Sequence, residues 1–110
     1  MELFAGIPVA DFEQALDWYE RLFAKPPDMR PHGREAVWNL TDHAWVYVVE
    51  DRERAGSALV TLMVDDLDER VAALADRGIV AGPVESINEQ TRSAQLLDPE
   101  GNRLQLGQAG

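Results

Sequence analysis

The chain contains no cysteine, one lysine (Lys25) and two histidines, His32 and His43. Without cysteine there is no disulfide framework, no thiolate metal site and no cysteine nucleophile, and a chain without staples suits a reducing cytoplasm. Cations are scarce as well: ten Lys and Arg stand against twenty Asp and Glu, for a net charge of −10. A field of that sign repels phosphate backbones and anionic bilayers, so neither nucleic acid nor a membrane surface is expected as a partner. No apolar run approaches the roughly 18 residues of a membrane span. The start, Met1-Glu2-Leu3-Phe4-Ala5-Gly6, lacks the basic region of a signal peptide. Ser57 and Ser93 have no His or Lys at a recognisable spacing, and neither a G-x-S-x-G elbow nor a phosphate-binding glycine loop occurs. Hydrolase and nucleotide-dependent readings fall away.

What is present is enough for one folded domain over residues 1–110, since 45% of the residues are hydrophobic and 27% charged. A chain of this length can bury about two thirds of its unfolded surface. The domain is internally duplicated. Val9-Ala10-Asp11-Phe12-Glu13-Gln14-Ala15-Leu16 matches Val64-Asp65-Asp66-Leu67-Asp68-Glu69-Arg70-Val71 at a constant shift of 55, which divides the chain into units 1–55 and 56–110.

Each unit opens with an apolar run short enough for a buried strand, residues 2–9 and 58–64. Asp11 and Asp66 then stand at helix N-cap positions, with Gln14 and Glu69 three residues on, the spacing of a capping box in both copies. Phe12, Ala15, Leu16, Tyr19 and Phe23 form the apolar stripe of the first helix; Leu67, Val71 and Leu74 form that of the second, with Gly78 as its stop. Trp18 lies off the stripe, which suggests an interface. Three strand segments follow each helix, at 29–33, 35–40 and 44–50 in the first unit and at 82–87, 91–98 and 103–106 in the second. Both units therefore read β-α-β-β-β.

Two such units, with V-x-D-[FL] opening each helix and Asp98-Pro-Glu-Gly-Asn-Arg-Leu-Gln-Leu106 at the last strand, resemble the glyoxalase/bleomycin resistance/dioxygenase superfamily, the vicinal oxygen chelate proteins. The resemblance implies an α+β fold in which the repeats form a curled mixed sheet around a concave cleft, helices outside. It also implies a homodimer. Strand parity assigns the faces independently: Leu3, Ala5, Ile7 and Val9 go beneath the helix and Phe4, Gly6 and Pro8 opposite. Leu59, Thr61 and Met63 face the cleft by the same rule, as do Arg103 and Gln105 on the last strand. The Trp45-Val46-Tyr47 strand is apolar on both faces, so parity leaves it unassigned.

Catalytic members of the family hold a divalent metal through His, Gln or Glu on the first and last strands of each unit. The first ligand sits seven residues before the helix-capping Asp, which falls here on Phe4 and Leu59; neither side chain can bind a metal. The last-strand position is Gln105, and its counterpart falls near Val46. His32 and His43 lie in a loop and a turn, off these positions. The residues point away from a metal or other cofactor and toward the metal-free members, which sequester antibiotics. The alternative within the resemblance is a metal-dependent lyase, isomerase or dioxygenase.

The candidate ligand-binding cleft comprises Phe4, Gly6, Trp38, Trp45, Tyr47, Leu59, Thr61, Met63, Arg103 and Gln105. The acidic balance would favour a small organic ligand that is cationic and aromatic, with Trp38, Trp45 and Tyr47 for stacking. Core packing is the competing use of those aromatics, and solubility the competing use of the charge. Lys25, Arg30, His32 and Arg34 form one local basic cluster, a candidate site for a small carboxylate, against the alternative of a solvated loop.

Overall fold

The computed structural model describes all 110 residues. Its elements run β1 (Leu3–Val9), α1 (Phe12–Phe23), β2 (Met29–His32), β3 (Glu35–Thr41), β4 (Ala44–Glu50), β5 (Leu59–Met63), α2 (Leu67–Asp76), β6 (Glu85–Asn88), β7 (Thr91–Leu97) and β8 (Arg103–Ala109). The β-α-β-β-β pattern thus occurs twice. Each unit makes its own mixed sheet, ordered β1-β4-β3-β2 and β5-β8-β7-β6, in which the helix-linked first strand pairs parallel with the last and the other pairs are antiparallel.

The sheets stay separate and do not close into one curled surface. The reason lies in the core. Ile7, Val9, Trp38, Val46 and Val48 of the first sheet, Ala94, Leu96, Leu104 and Leu106 of the second, and the buried faces of both helices belong to one contiguous cluster. Both sheets therefore turn their helix-bearing sides toward a shared interior, and their other faces look away from it.

Polar groups fix that joint. Arg77, at the end of α2, donates from Nε to the Arg21 carbonyl at 2.6 Å, so the two helices meet at their C-terminal ends. The turn between β7 and β8 reaches the first unit at three places. Asn102 Nδ2 donates to the Pro8 carbonyl at 2.9 Å, the Tyr19 hydroxyl donates to Asp98 at 2.8 Å, and the Glu100 carboxylate accepts the Ala10 and Asp11 amides at 2.7 and 2.6 Å. Gly101 takes the left-handed conformation the turn requires (φ 88°).

The capping boxes expected in both copies differ in outcome. Asp11 caps α1, accepting from the Gln14 amide at 3.1 Å. Asp66 makes no cap bond; its carboxylate takes the Arg70 guanidinium at 2.7 Å instead, and the Leu67 amide is satisfied by Gln108 from β8 at 2.9 Å. A neighbouring strand thus supplies what the cap residue does not, and a local motif could not show it.

Candidate functional site

The strand registers arrange the open face of each sheet in rows. In the first sheet Phe4 lies beside Trp45 and Asn39, and Gly6 beside Tyr47, Val37 and Met29. In the second, Leu59, Arg103 and Leu97 form one row, Thr61, Gln105 and Gln95 the next, and Met63, Gly107 and Ser93 a third. Nine of the ten cleft candidates occupy these rows. They fall on two separate faces, four on one and five on the other.

The first face is aromatic. Phe4 and Trp45 are stacked, ring centroids 5.5 Å apart and planes inclined by 5°. Tyr47 lies across Gly6, where an added Cβ would come within 2.6 Å of the ring's Cζ and Oη. Glycine is what permits that approach. Phe4 is 50% exposed, so the stack presents a planar surface to solvent.

The second face is polar and lightly basic, with leucines at its rim. The Arg103 side chain is exposed and makes no hydrogen bond or ion pair, unlike Arg21, Arg34, Arg54, Arg70 and Arg92, which all reach a carboxylate. Leu59 and Leu97 flank it at 75% and 62% exposure.

Trp38, the tenth candidate, is not on either face. It is fully buried beneath α1, packed on Phe23 and Tyr19 at centroid distances of 5.5 and 6.2 Å, with its indole N–H donated to the Lys25 carbonyl. Ala36, Val37 and Trp38 are all buried, so β3 carries no alternation from which its inward residue could be read. Trp18 is likewise core, set edge-on to Tyr19 at 4.7 Å, and not an interface residue. Trp45 and Tyr47, unassigned by parity, take the open face because Val46 and Val48 between and beyond them are buried.

That register also corrects the last-strand counterpart of Gln105. Gln105 pairs with Thr61 as Tyr47 pairs with Gly6, so the equivalent residue is Tyr47; Val46 points into the core. The four positions that would hold a family-type metal are thus Phe4, Leu59, Gln105 and Tyr47. Two carbon-only side chains, an amide and a phenol do not make a divalent-cation site. His32 and His43 are off these positions, each exposed and set against a glutamate, Glu35 at 3.2 Å and Glu2 at 3.0 Å. No three His, Cys, Asp or Glu side chains group together to hold an ion.

The basic cluster near β2 is spent internally. Arg30 lies over the Phe12 ring at 5.3 Å, Arg34 pairs with Glu50 at 3.4 Å and Lys25 with Asp28 at 2.8 Å. With His32 against Glu35, no member is left to receive a carboxylate. The acids are distributed with equal clarity. Among strand positions on the open faces only Glu35 and Glu85 are acidic; the other carboxylates belong to helices, loops and the helix-facing side. The acids are thus not concentrated on the open faces of the strands.

The most specific motif of the sequence is not a binding element either. Asp98 and Asn102 are 5% and 0% exposed and hold the joint between units. Asp98 Oδ1 accepts the Glu100 and Asn102 amides while Oδ2 accepts from Tyr19 and from Asn102 Nδ2. Burial, and then the Asp98 charge, push the Tyr19 hydroxyl far above the ordinary phenol range, so it stays protonated as a donor.

A cavity of about 930 Å³ is a third feature, lined in part by three of the cleft candidates, Trp45 of the first face and Thr61 and Met63 of the second. It lies between the free edges of β1 and β5, lined by Leu3, Ala5, Leu62, Val64 and Leu74 with Lys25 and Arg70 at its margin. Those edges carry exposed apolar residues, Leu3 and Met63 among them. No helix is long and apolar enough to cross a membrane.

Comparison with known proteins accords with this geometry. Over its full length the chain is 39% identical to a glyoxalase/bleomycin resistance protein from Catenulispora acidiphila DSM 44928, with a TM-score of 0.94 and 99% of that chain covered. TnmS3, an antibiotic binding protein from Streptomyces sp. CB03234, is 25% identical, with a TM-score of 0.80, 100% of this chain and 96% of that one covered. A bleomycin-binding protein crystallised with bleomycin shares the fold at 21% identity and a TM-score of 0.82, with coverages of 100% and 99%. No curated protein sequence matches significantly. The sequence profile of the Glyoxalase/Bleomycin resistance protein/Dioxygenase superfamily matches residues 3–106, from the first residue of β1 into β8, and the chain belongs to that superfamily.

Proposed function

We propose that the protein is a metal-free, cytoplasmic small-molecule-binding protein of the sequestering type, and that it works as a homodimer. The observation that carries this reading is the Phe4–Trp45 stack. A parallel aromatic pair half open to solvent, at the strand position where catalytic relatives place a metal ligand, offers a planar surface and no donor atom for a cation. The likeness to the antibiotic-binding TnmS3 supports a binding role.

The dimer follows from what one chain leaves open. Each face has a solvent-facing side with no second wall, and β1 and β5 end their sheets as unprotected apolar edges flanking the 930 Å³ groove. Exposed edges of this kind are ordinarily covered. A second copy covers both at once, bringing the aromatic face of one chain to the polar face of the other and enclosing two equivalent clefts.

The test is isothermal titration, with tryptophan fluorescence, against a panel of polycyclic aromatic antibiotics. Binding at one ligand per chain that is lost in Trp45→Ala is the expected result. Stoichiometric uptake of Ni²⁺, Mn²⁺, Fe²⁺ or Zn²⁺ by the purified protein would overturn the metal-free reading.

A further inference from the structure

The second face indicates the ligand's charge. Arg103 is the one cation on either open face whose side chain has no partner, and it stands between Leu59 and Leu97. The adjoining row, Thr61-Gln105-Gln95, supplies a hydroxyl and two carboxamides and no charge. From these residues we infer that the ligand is a planar aromatic bearing a single carboxylate, its body against the Phe4–Trp45 pair and its carboxylate on Arg103. The inference rests on the binding reading above, since it assigns the chemistry of that same cleft.

Each element of the face fits that class. A guanidinium matches a carboxylate with two parallel N–H···O bonds, and the exposed flanking leucines offer apolar surface to the ligand's ring. The two glutamines supply N–H donors that can bind the carboxylate edge or a ring carbonyl. A phosphate or other polyanion fits less well, because one guanidinium balances one charge. The chain's net −10 does not reverse the preference. Ionic screening cuts surface charge off within about 8 Å at physiological salt. The one acid of this face, Glu85, sits on β6, opposite Ser93 in the third row, while Arg103 is in the first row two strands away.

The probes are anthracene-2-carboxylate, its carboxamide and 2-(aminomethyl)anthracene, titrated into the full chain and into Arg103→Gln. The carboxylate is expected to bind most tightly, and Arg103→Gln to weaken it roughly 10- to 100-fold, the worth of a charge-assisted contact, while leaving the carboxamide unchanged. Tightest binding of the ammonium compound, or an unchanged carboxylate-to-carboxamide ratio in Arg103→Gln, overturns the inference while leaving the binding reading intact. Failure of all three probes, with no response of Trp45 fluorescence, overturns both. An Arg103→Gln chain that loses its dimer and binds all three probes equally weakly assigns Arg103 to the contact between copies, which also overturns the inference.

Discussion

The Tyr19 hydroxyl stands 2.8 Å from Asp98 Oδ2, joining the helix of the first unit to the last turn of the second. Because both groups are buried, removing the donor leaves a carboxylate oxygen short of a partner it cannot replace with water. Tyr19→Phe is expected to cost about 1–3 kcal/mol, the usual penalty for an orphaned buried acceptor. Urea unfolding with an unchanged m-value, alongside unaltered ligand binding, would establish a purely structural role. An equal loss in binding would show that the joint shapes the cleft.

The two strand tryptophans should separate stability from binding. Trp38 is fully buried against Tyr19 and Phe23, so Trp38→Ala should lose about 3–5 kcal/mol, as large aromatic truncations in cores do. Trp45 is only partly covered and stacks on a half-exposed Phe4, so Trp45→Ala should cost stability far less and abolish aromatic-ligand binding. Chemical denaturation and ligand titration of the two variants give the comparison directly.

These tryptophans also show what was readable in the chain. Parity separated Phe4 and Gly6 from Ile7 and Val9 because β1 alternates; it could not place Trp38, whose neighbours Ala36 and Val37 are buried as well. The Asp98-to-Asn102 turn was legible as a turn and as a family mark. Its work as the joint was not, since Tyr19 and Pro8 lie 79 and 94 residues from the groups they bond. The 55-residue repeat revealed two units but carries no information on which faces they turn toward each other. That choice is made by long-range packing of helix-side residues and decides whether the cleft lies within a chain or between chains.

Acid should act on the loop after α1. The Lys25 ammonium, then the Asn39 amide, hold the Asp28 carboxyl below the usual carboxylate range. A group whose folded pKa is depressed stabilises the fold above its unfolded value, about 3.9, and loses that contribution as pH falls through the lower folded value. Asp28→Asn should therefore be less stable than the parent at pH 6, and the difference should shrink as pH falls through the lowered carboxyl pKa. Urea midpoints measured from pH 6 to 2 test the sign; a difference that persists undiminished to pH 2 would refute the assignment.

Gly6 offers a local probe of the aromatic wall. An alanine there would put its Cβ 2.6 Å from the outer end of the Tyr47 ring, and that ring, partly exposed, can swing away without disturbing the core. Gly6→Ala should fold with a stability change under about 1.5 kcal/mol, near the lower range for an overpacked site. Its aromatic-ligand affinity should nevertheless fall. Retained affinity with a displaced Tyr47 would mean that the Phe4–Trp45 pair suffices alone.

The assembly itself is tested at the head of β1. Leu3 is 64% exposed and lines the 930 Å³ groove between the β1 and β5 edges. In a lone chain Leu3→Glu changes a surface residue and should move stability by no more than about 0.5 kcal/mol. Where a second copy packs on that edge, the same change buries an unpaired carboxylate, an outcome costly enough to dissociate a modest interface. Sedimentation velocity at micromolar protein should therefore find the parent at twice the chain mass of 12.3 kDa and Leu3→Glu at the chain mass, with circular dichroism unchanged. Ligand binding should disappear together with the dimer if, as proposed, each cleft draws its aromatic wall from one chain and Arg103 from the other. A monomeric variant that still binds at full affinity would place the site on a single face.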